Sequence, residues 1–341
     1  MEWRTHLKAD PTDWLLSSQN PSIRYFTRKD ILDVPPHNPL LTAEKEQIAT
    51  IGYVPSLLEA MESPEYRKTF NRYYVYKYQG LVWSLLTLAE VGAERNAAID
   101  VYAEYLFEHA QERTDGGFAM HSCKAGGGRN TEVIPCLTGN LVYSLCNLGY
   151  QDDPRLKKAL SYLVHFLVLN DGEEVEPQVP PYNRYEECWG KHTCHMAVVK
   201  SLKAFAAIEP SQWDVDLKTT MDKAIEFVLI HHVHKRSHNL SRNTKPGWLN
   251  FAFPLMYQTD ILEILDILTS LGVKDVRMEE ALAVVKAKQQ ENGRWKVENT
   301  YGSDRLLIPI GAKGEESEWV TLRALRVLKR YYQLRAQDGQ T

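Results

Sequence analysis

The segment Gly80-Leu81-Val82-Trp83-Ser84-Leu85-Leu86-Thr87-Leu88-Ala89-Glu90-Val91-Gly92 is apolar on nearly every side and stops at a glycine. A helix that is apolar all round is a buried helix, and glycine just past its last turn is the expected stop signal. The same cadence returns in Gly139-Asn140-Leu141-Val142-Tyr143-Ser144-Leu145-Cys146-Asn147-Leu148-Gly149 and again over residues 259–272, ending at Gly272. A looser copy over residues 198–210 ends at Pro210. The four stops Gly92, Gly149, Pro210 and Gly272 are spaced 57, 61 and 62 residues apart. After each apolar helix comes an amphipathic one, over 97–111, 154–169, 217–231 and 278–290. Asp153-Pro154 supplies a capping aspartate and a first-turn proline for the second of these, and Asp275 is the expected cap of the last. An internal period near 60 built of buried and amphipathic helices predicts an all-α repeat architecture.

Two punctuation marks narrow that architecture. Gln290-Glu291-Asn292-Gly293-Arg294-Trp295 closes an amphipathic helix as Q-x-x-G-x-W, and Gln111 with Gly116-Gly117-Phe118 is a degenerate copy. The pattern resembles the QW-type repeat of the squalene–hopene cyclase and protein prenyltransferase superfamily. The resemblance implies an α/α toroid, with inner and outer helix pairs around a central cavity, over residues 71–341. Residues 317–330 would be its last inner helix. Residues 1–70 read differently. Asp13-Trp14-Leu15-Leu16 and Asn20-Pro21-Ser22-Ile23 suggest a HEAT-like helical pair, broken by Pro35-Pro36 and Asn38-Pro39. We expect this segment to be a helical cap.

Composition excludes several classes of function. Lys+Arg 40 against Asp+Glu 44 gives a net charge of −4, far from the basic excess of a nucleic-acid binder. Apolar residues at 44% and charged residues at 25% are ordinary for a folded chain. No apolar run reaches the roughly 18 residues of a membrane helix. The first residues lack the apolar core of a signal peptide, so the expectation is a cytoplasmic protein.

The five cysteines, Cys123, Cys136, Cys146, Cys188 and Cys194, all fall in one central stretch. Clustered thiols in a cytosolic chain suggest metal or catalysis before disulfides. Cys146 lies between Leu145 and Leu148 and reads as core. Cys136 and Cys194 are 58 residues apart, close to one repeat, which would bring them to equivalent heights on neighbouring inner helices. Cys136, Cys188, Cys194 and His195, with His192 as the other imidazole, can supply the thiolate and imidazole ligands that zinc requires. The family resemblance points to the same rim, where protein prenyltransferases hold zinc through Asp, Cys and His. Lanthionine synthetase cyclases use a Cys from one repeat and a Cys-His pair from the next. Cys136 with Cys194-His195 looks like that arrangement, although Met196 stands where those cyclases carry glycine. The other reading of these thiols is a catalytic nucleophile, since a helix N-terminus lowers cysteine pKa.

The acids are sparser. The D-x-D-D motif of class II terpene cyclases does not occur. Asp260 and Glu263 share a face of an otherwise apolar helix, where a desolvated carboxyl suits general acid work; the other reading is a salt bridge to a neighbouring inner helix. The run His231-His232-Val233-His234-Lys235-Arg236-Ser237-His238 reads as a solvated helix end or as a grip for phosphate. Residues 125–129, rich in glycine, read as a flexible rim loop. Aromatic residues Trp189, Tyr182, Tyr185, Phe251, Tyr257 and Trp248 are the expected cavity lining, because aromatic faces stabilise cations. The expected function is a terpene cyclase- or prenyltransferase-like enzyme for a small apolar, isoprenoid-like or thiol-bearing substrate, with zinc at the rim. The alternative is a non-catalytic binding scaffold in which zinc only staples the rim.

Overall fold

The computed structural model describes residues 2–172, 177–185, 188, 193–301 and 305–338. It is mostly helical. The first helices are α1 (Thr12–Leu16), α2 (Pro21–Phe26), α3 (Pro39–Ile48), α4 (Tyr53–Glu62) and the single turn α5 (Pro64–Arg67). The repeats follow as α6 (Leu81–Glu90), α7 (Ala97–His109), α8 (Pro135–Leu145), α9 (Pro154–Phe166), α10 (His195–Ala206) and α11 (Val215–Ile230). They continue as α12 (Ile261–Ser270), α13 (Glu279–Ala287) and α14 (Glu318–Asp338). Each apolar segment read from the sequence is one of α6, α8, α10, α12 and α14, and each amphipathic segment is one of α7, α9, α11 and α13. No described helix is long and apolar enough to cross a membrane.

The stops act as expected. Gly92 and Gly272 adopt φ of 84° and 75°, left-handed conformations in which a side chain would be strained. The following amides, of Ala93 and Val273, donate back to the carbonyls of Leu88 and Leu268. At the other end, Asp153 accepts the Arg155 amide at 2.8 Å. Asp275 caps a short 3-10 turn, Val276–Met278, that leads into α13.

The His-rich run continues beyond the helix end, with Arg236 and His238 exposed. After α11 the chain forms a hairpin of β1 (Lys235–Arg236) and β2 (Asn239–Asn243). His231 and His234 are buried, and Lys235 pairs with Glu280 at 2.5 Å. The glycine-rich loop is likewise pinned. The amides of Gly127 and Gly128 donate to the carbonyls of Glu108 (2.9 Å) and Gln111 (2.8 Å).

The chain divides into two compact units. One comprises Met1–Ser56, Leu229–Leu255 and Thr259–Thr341, the other Leu57–Val228 with Met256–Gln258. The first 56 residues therefore share a unit with the C-terminal repeats, a different partition from a cap ending at residue 70.

In the unit built on Leu57–Val228, α6 packs on α8 and α8 on α10, while α7 packs on α6 and α9 on α8. At the α8–α10 crossing Gly139 lets the backbones touch. A Cβ on Gly139 would lie 2.4 Å from the Lys200 carbonyl oxygen. In the other unit α14 packs on α12 and α2, and the His6 ring stacks on Tyr332 at 3.5 Å.

The QW-type punctuation recurs in both units with one correction. Gln111 donates through Nε2 to the carbonyl of Gly116 (2.8 Å) and to that of Arg155 in α9 (2.7 Å). The residue doing the same work near the C-terminus is Gln289, not the Gln290 that begins Q-x-x-G-x-W. Its Nε2 donates to Gly293 (3.0 Å) and to Ala9 (2.9 Å). Phe118 and Trp295 follow as fully buried rings. Their amides donate to Thr138 Oγ1 (2.9 Å) and Thr321 Oγ1 (3.0 Å), at matching points of α8 and α14. Ahead of α1, Ala9 thus stands toward the last repeat as Arg155 stands toward an earlier one.

Candidate functional site

Residues 73–80 fold back over the start of α6. The amides of Val82 and Gly80 donate to the carbonyls of Tyr73 (3.2 Å) and Tyr76 (2.7 Å). Gly80 permits this, since a Cβ there would stand 2.5 Å from the Tyr73 oxygen. Trp83 locks the turn by donating its indole N–H to the Tyr74 carbonyl at 2.9 Å. Tyr257 reaches the same place from a segment fastened to α8, where Asn140 Nδ2 donates to the Met256 carbonyl at 3.2 Å.

These contacts assemble an aromatic cage. Its rings are Tyr74, Tyr78, Trp83 and Tyr257, with Tyr78 stacked on Tyr257 at 6.2 Å and Tyr74 lying 5.2 Å from Trp83. Inside it sits the protein's own cation. Lys77 Nζ lies 4.1 Å from the Tyr257 ring centroid, 4.4 Å from Tyr74 and 5.5 Å from Trp83. Each ring attracts the ammonium through the negative face of its π system. Burial among the rings lowers the Lys77 pKa, against the opposing pull of Tyr257 and Cys136. Among the described residues no carboxylate pairs with it.

The thiols lie beside this cage. Cys136 is the second residue of α8, and Cys194 is the N-cap of α10. The Cys194 amide donates to the Cys188 carbonyl at 3.1 Å. All three thiols act electrostatically on the buried hydroxyl of Tyr182, and Cys136 and Cys188 both act on Tyr74. The expected lowering of Cys136 by its helix N-terminus is overruled. Burial pushes the thiol up to about 12, with Cys194 adding in the same direction and Lys77 opposing. Desolvation disfavours the thiolate by more than the exposed amides of one helix end favour it.

Other expected members play different parts. Tyr182 braces the segment after α9, donating to the Phe166 carbonyl and accepting the Val168 amide, both at 3.0 Å. Tyr185 is half-buried, and its carbonyl receives the Cys188 amide at 2.9 Å. His195 opens α10 as a buried residue with its ring edge-on to Phe227 at 5.2 Å. Among the described residues no three His, Cys, Asp or Glu side chains converge as a metal site. Trp189 and His192 lie outside the described residues. Cys146 is buried, its thiol pushed up to about 12, as befits core.

Phe251, Trp248, Asp260 and Glu263 belong to the other unit. Trp248 is buried on the short turn Pro246–Leu249. Phe251 lies under Lys288 Nζ at 5.1 Å, in the floor of a cleft of about 320 Å³ that also takes in Trp295 and Lys313. Asp260 lies at the start of α12 as its N-cap, one residue outside the helix expected to contain it. Its Oδ1 accepts the Glu263 amide (2.8 Å) and its Oδ2 the Ala252 amide (2.9 Å). Burial at 1% exposure pushes its carboxyl up to about 6, moderated by these amides and by Arg323.

Two features escaped the sequence reading. Lys77 and Tyr74 stand in a turn without periodicity, so only the crowding of Tyr73, Tyr74, Tyr76 and Tyr78 around a lysine marked them. Asp260-x-x-Glu263 has the spacing of a capping box, which signals a helix start. Compared with known protein families and with curated proteins, the chain matches none.

Proposed function

We propose that this chain is an α/α toroid of the prenyltransferase and squalene–hopene cyclase type. Its working site is the aromatic cage and thiol cluster at the heads of α6, α8 and α10. The ligand is a small apolar, isoprenoid-like molecule that reacts through a cationic centre or is held beside one. One observation carries the reading: three aromatic faces enclose a cation without a described carboxylate beside it. Such a site favours positive charge through ring quadrupoles while keeping an apolar wall for a hydrocarbon chain. The ring architecture is supported by the matched glutamine bonds, which give Ala9 the role that Arg155 has in an earlier repeat.

The test is equilibrium binding of farnesol to the full chain, followed by tryptophan fluorescence. Saturable quenching that weakens in Tyr257→Ala supports the reading, and absence of saturable binding overturns it. A second reading, the scaffold with structural zinc, is favoured by the three thiols that share the field of Tyr182. Stoichiometric zinc in the purified protein, lost in Cys136→Ala and Cys194→Ala, would support it.

A further inference from the structure

The cage already holds a cation of the chain's own, and on losing a proton its amine is a nucleophile. We infer that Lys77 is an attachment point for an apolar aldehyde or ketone, held as a protonated imine inside the ring of Tyr74, Trp83 and Tyr257. This inference rests on the reading of the cage as the ligand site and names its substrate class.

Three observations point to a carbonyl compound. The ammonium is surrounded by ring faces at 4.1, 4.4 and 5.5 Å, and its hydrogen bond to the Tyr74 hydroxyl is long, at 3.4 Å. An anionic ligand would meet the negative faces of those rings and only one cation, so charge does not favour it. A neutral electrophile meets no such opposition. The other cations of this unit's inner helices are less suited. Lys203 is paired with the buried Glu90, and Lys200 is wholly buried inside α10.

The step balances without oxidant or reductant. The Lys77 nitrogen attacks the carbonyl carbon, a C–N bond forms, and the carbonyl oxygen leaves as water. The ammonium and the aldehyde become an iminium and one water, with the single positive charge conserved. The product cation occupies the place of the reactant cation, so the rings stabilise it in the same way. Burial of Lys77, which favours the neutral amine, assists the attack.

The test treats the full chain with farnesal and sodium cyanoborohydride, which reduces an imine to a stable amine, and maps the adducts by peptide mass spectrometry. Farnesol binding is measured on the same preparation. The expected result is farnesol binding together with labelling of Lys77 roughly tenfold or more above any other lysine, because the cage holds the reactants together. That adduct is absent in Lys77→Arg, which keeps a cation in the cage. If farnesol binds but labelling spreads over surface lysines according to their exposure, the inference is overturned and the proposed function stands. If farnesol does not bind and Lys77 is not labelled, both are overturned.

Discussion

The carbonyl oxygen of Lys200 stands 2.4 Å from where a Cβ on Gly139 would lie. This is backbone against backbone at the crossing of α8 and α10, so no side chain can swing aside. Substituting Gly139→Ala should force the helices apart and destabilise the protein by about 1–3 kcal/mol. Gly247→Ala is the matched control, with nothing within 4 Å of its added methyl. It should be neutral or stabilising by up to about 1 kcal/mol. Urea denaturation of both variants checks the pair, and equal losses would contradict the close crossing.

The glutamine pair offers a sharper contrast. Gln289 makes a long-range bond to the Ala9 carbonyl and a buried local one to that of Gly293. The Gln290 side chain donates to the nearby Lys288 carbonyl. Gln289→Ala should destabilise by about 2–4 kcal/mol, since it orphans buried carbonyls as well as losing packing. Gln290→Ala should stay within about 1 kcal/mol. The reverse order would restore Gln290 as the capping residue.

Lys203 and Glu90 form an ion pair in which both side chains are nearly inaccessible, with the ammonium also 4.2 Å from the Tyr143 ring centroid. Removing one partner leaves a buried charge. Lys203→Met alone should destabilise by about 3–5 kcal/mol, and Lys203→Met with Glu90→Leu should recover much of that loss. A double-mutant cycle measures it, and additive losses would show that the charges do not depend on one another.

Thiol reactivity should follow burial. With Cys136 and Cys146 both pushed up to about 12, roughly one thiol in ten thousand is ionised at pH 8. Iodoacetamide should modify the exposed Cys123 first, the half-buried Cys136 slowly, and the buried Cys146 only in denaturant. Rapid modification of native Cys136 would mean that its helix end outweighs its burial after all.

Asp260 carries a pH signature. Its folded carboxyl titrates near 6, above the ordinary 3.8. As pH falls from 7 toward 4, the folded protein takes up this proton before the unfolded chain does. The stability contribution of the group therefore rises on acidification through that window and is lost as pH rises through 6. Relative to Asp260→Asn, the wild type should gain up to about 3 kcal/mol between pH 7 and pH 4. A difference that does not change with pH would place the carboxyl in its ordinary range.

Much of the helical framework was legible because burial writes itself into sequence. Residues 81–90 and 261–270 are apolar through full helical turns, and Gly92 and Gly272 stop them where a positive φ is needed. The site was less legible, for a geometric reason. Lys77 and Tyr257 are far apart in the chain and meet only because residues 73–80 fold back on α6 and Asn140 holds the Met256 carbonyl. No period encodes such a meeting. Cys136 was found by its spacing from Cys194, but its ionisation was misjudged. Burial depends on neighbours from several segments, whereas the helix end is visible in one. Asp260 was noticed as an acid and misplaced as a helix interior residue, because the cue to its capping role, Glu263 three residues on, equally describes two carboxylates on one face.

The bond from Gln289 to Ala9 spans 280 residues, and this sets a schedule for the chain during its synthesis. At the usual ribosomal pace of roughly 5–20 residues per second, Ala9 leaves the ribosome on the order of 15–60 s before its partner. Closing a loop of that size costs about 5 kcal/mol of chain entropy. The segment around Ala9 thus spends its first moments without the glutamine that will fasten it. Its docking therefore waits until the repeat that carries Gln289 has been made.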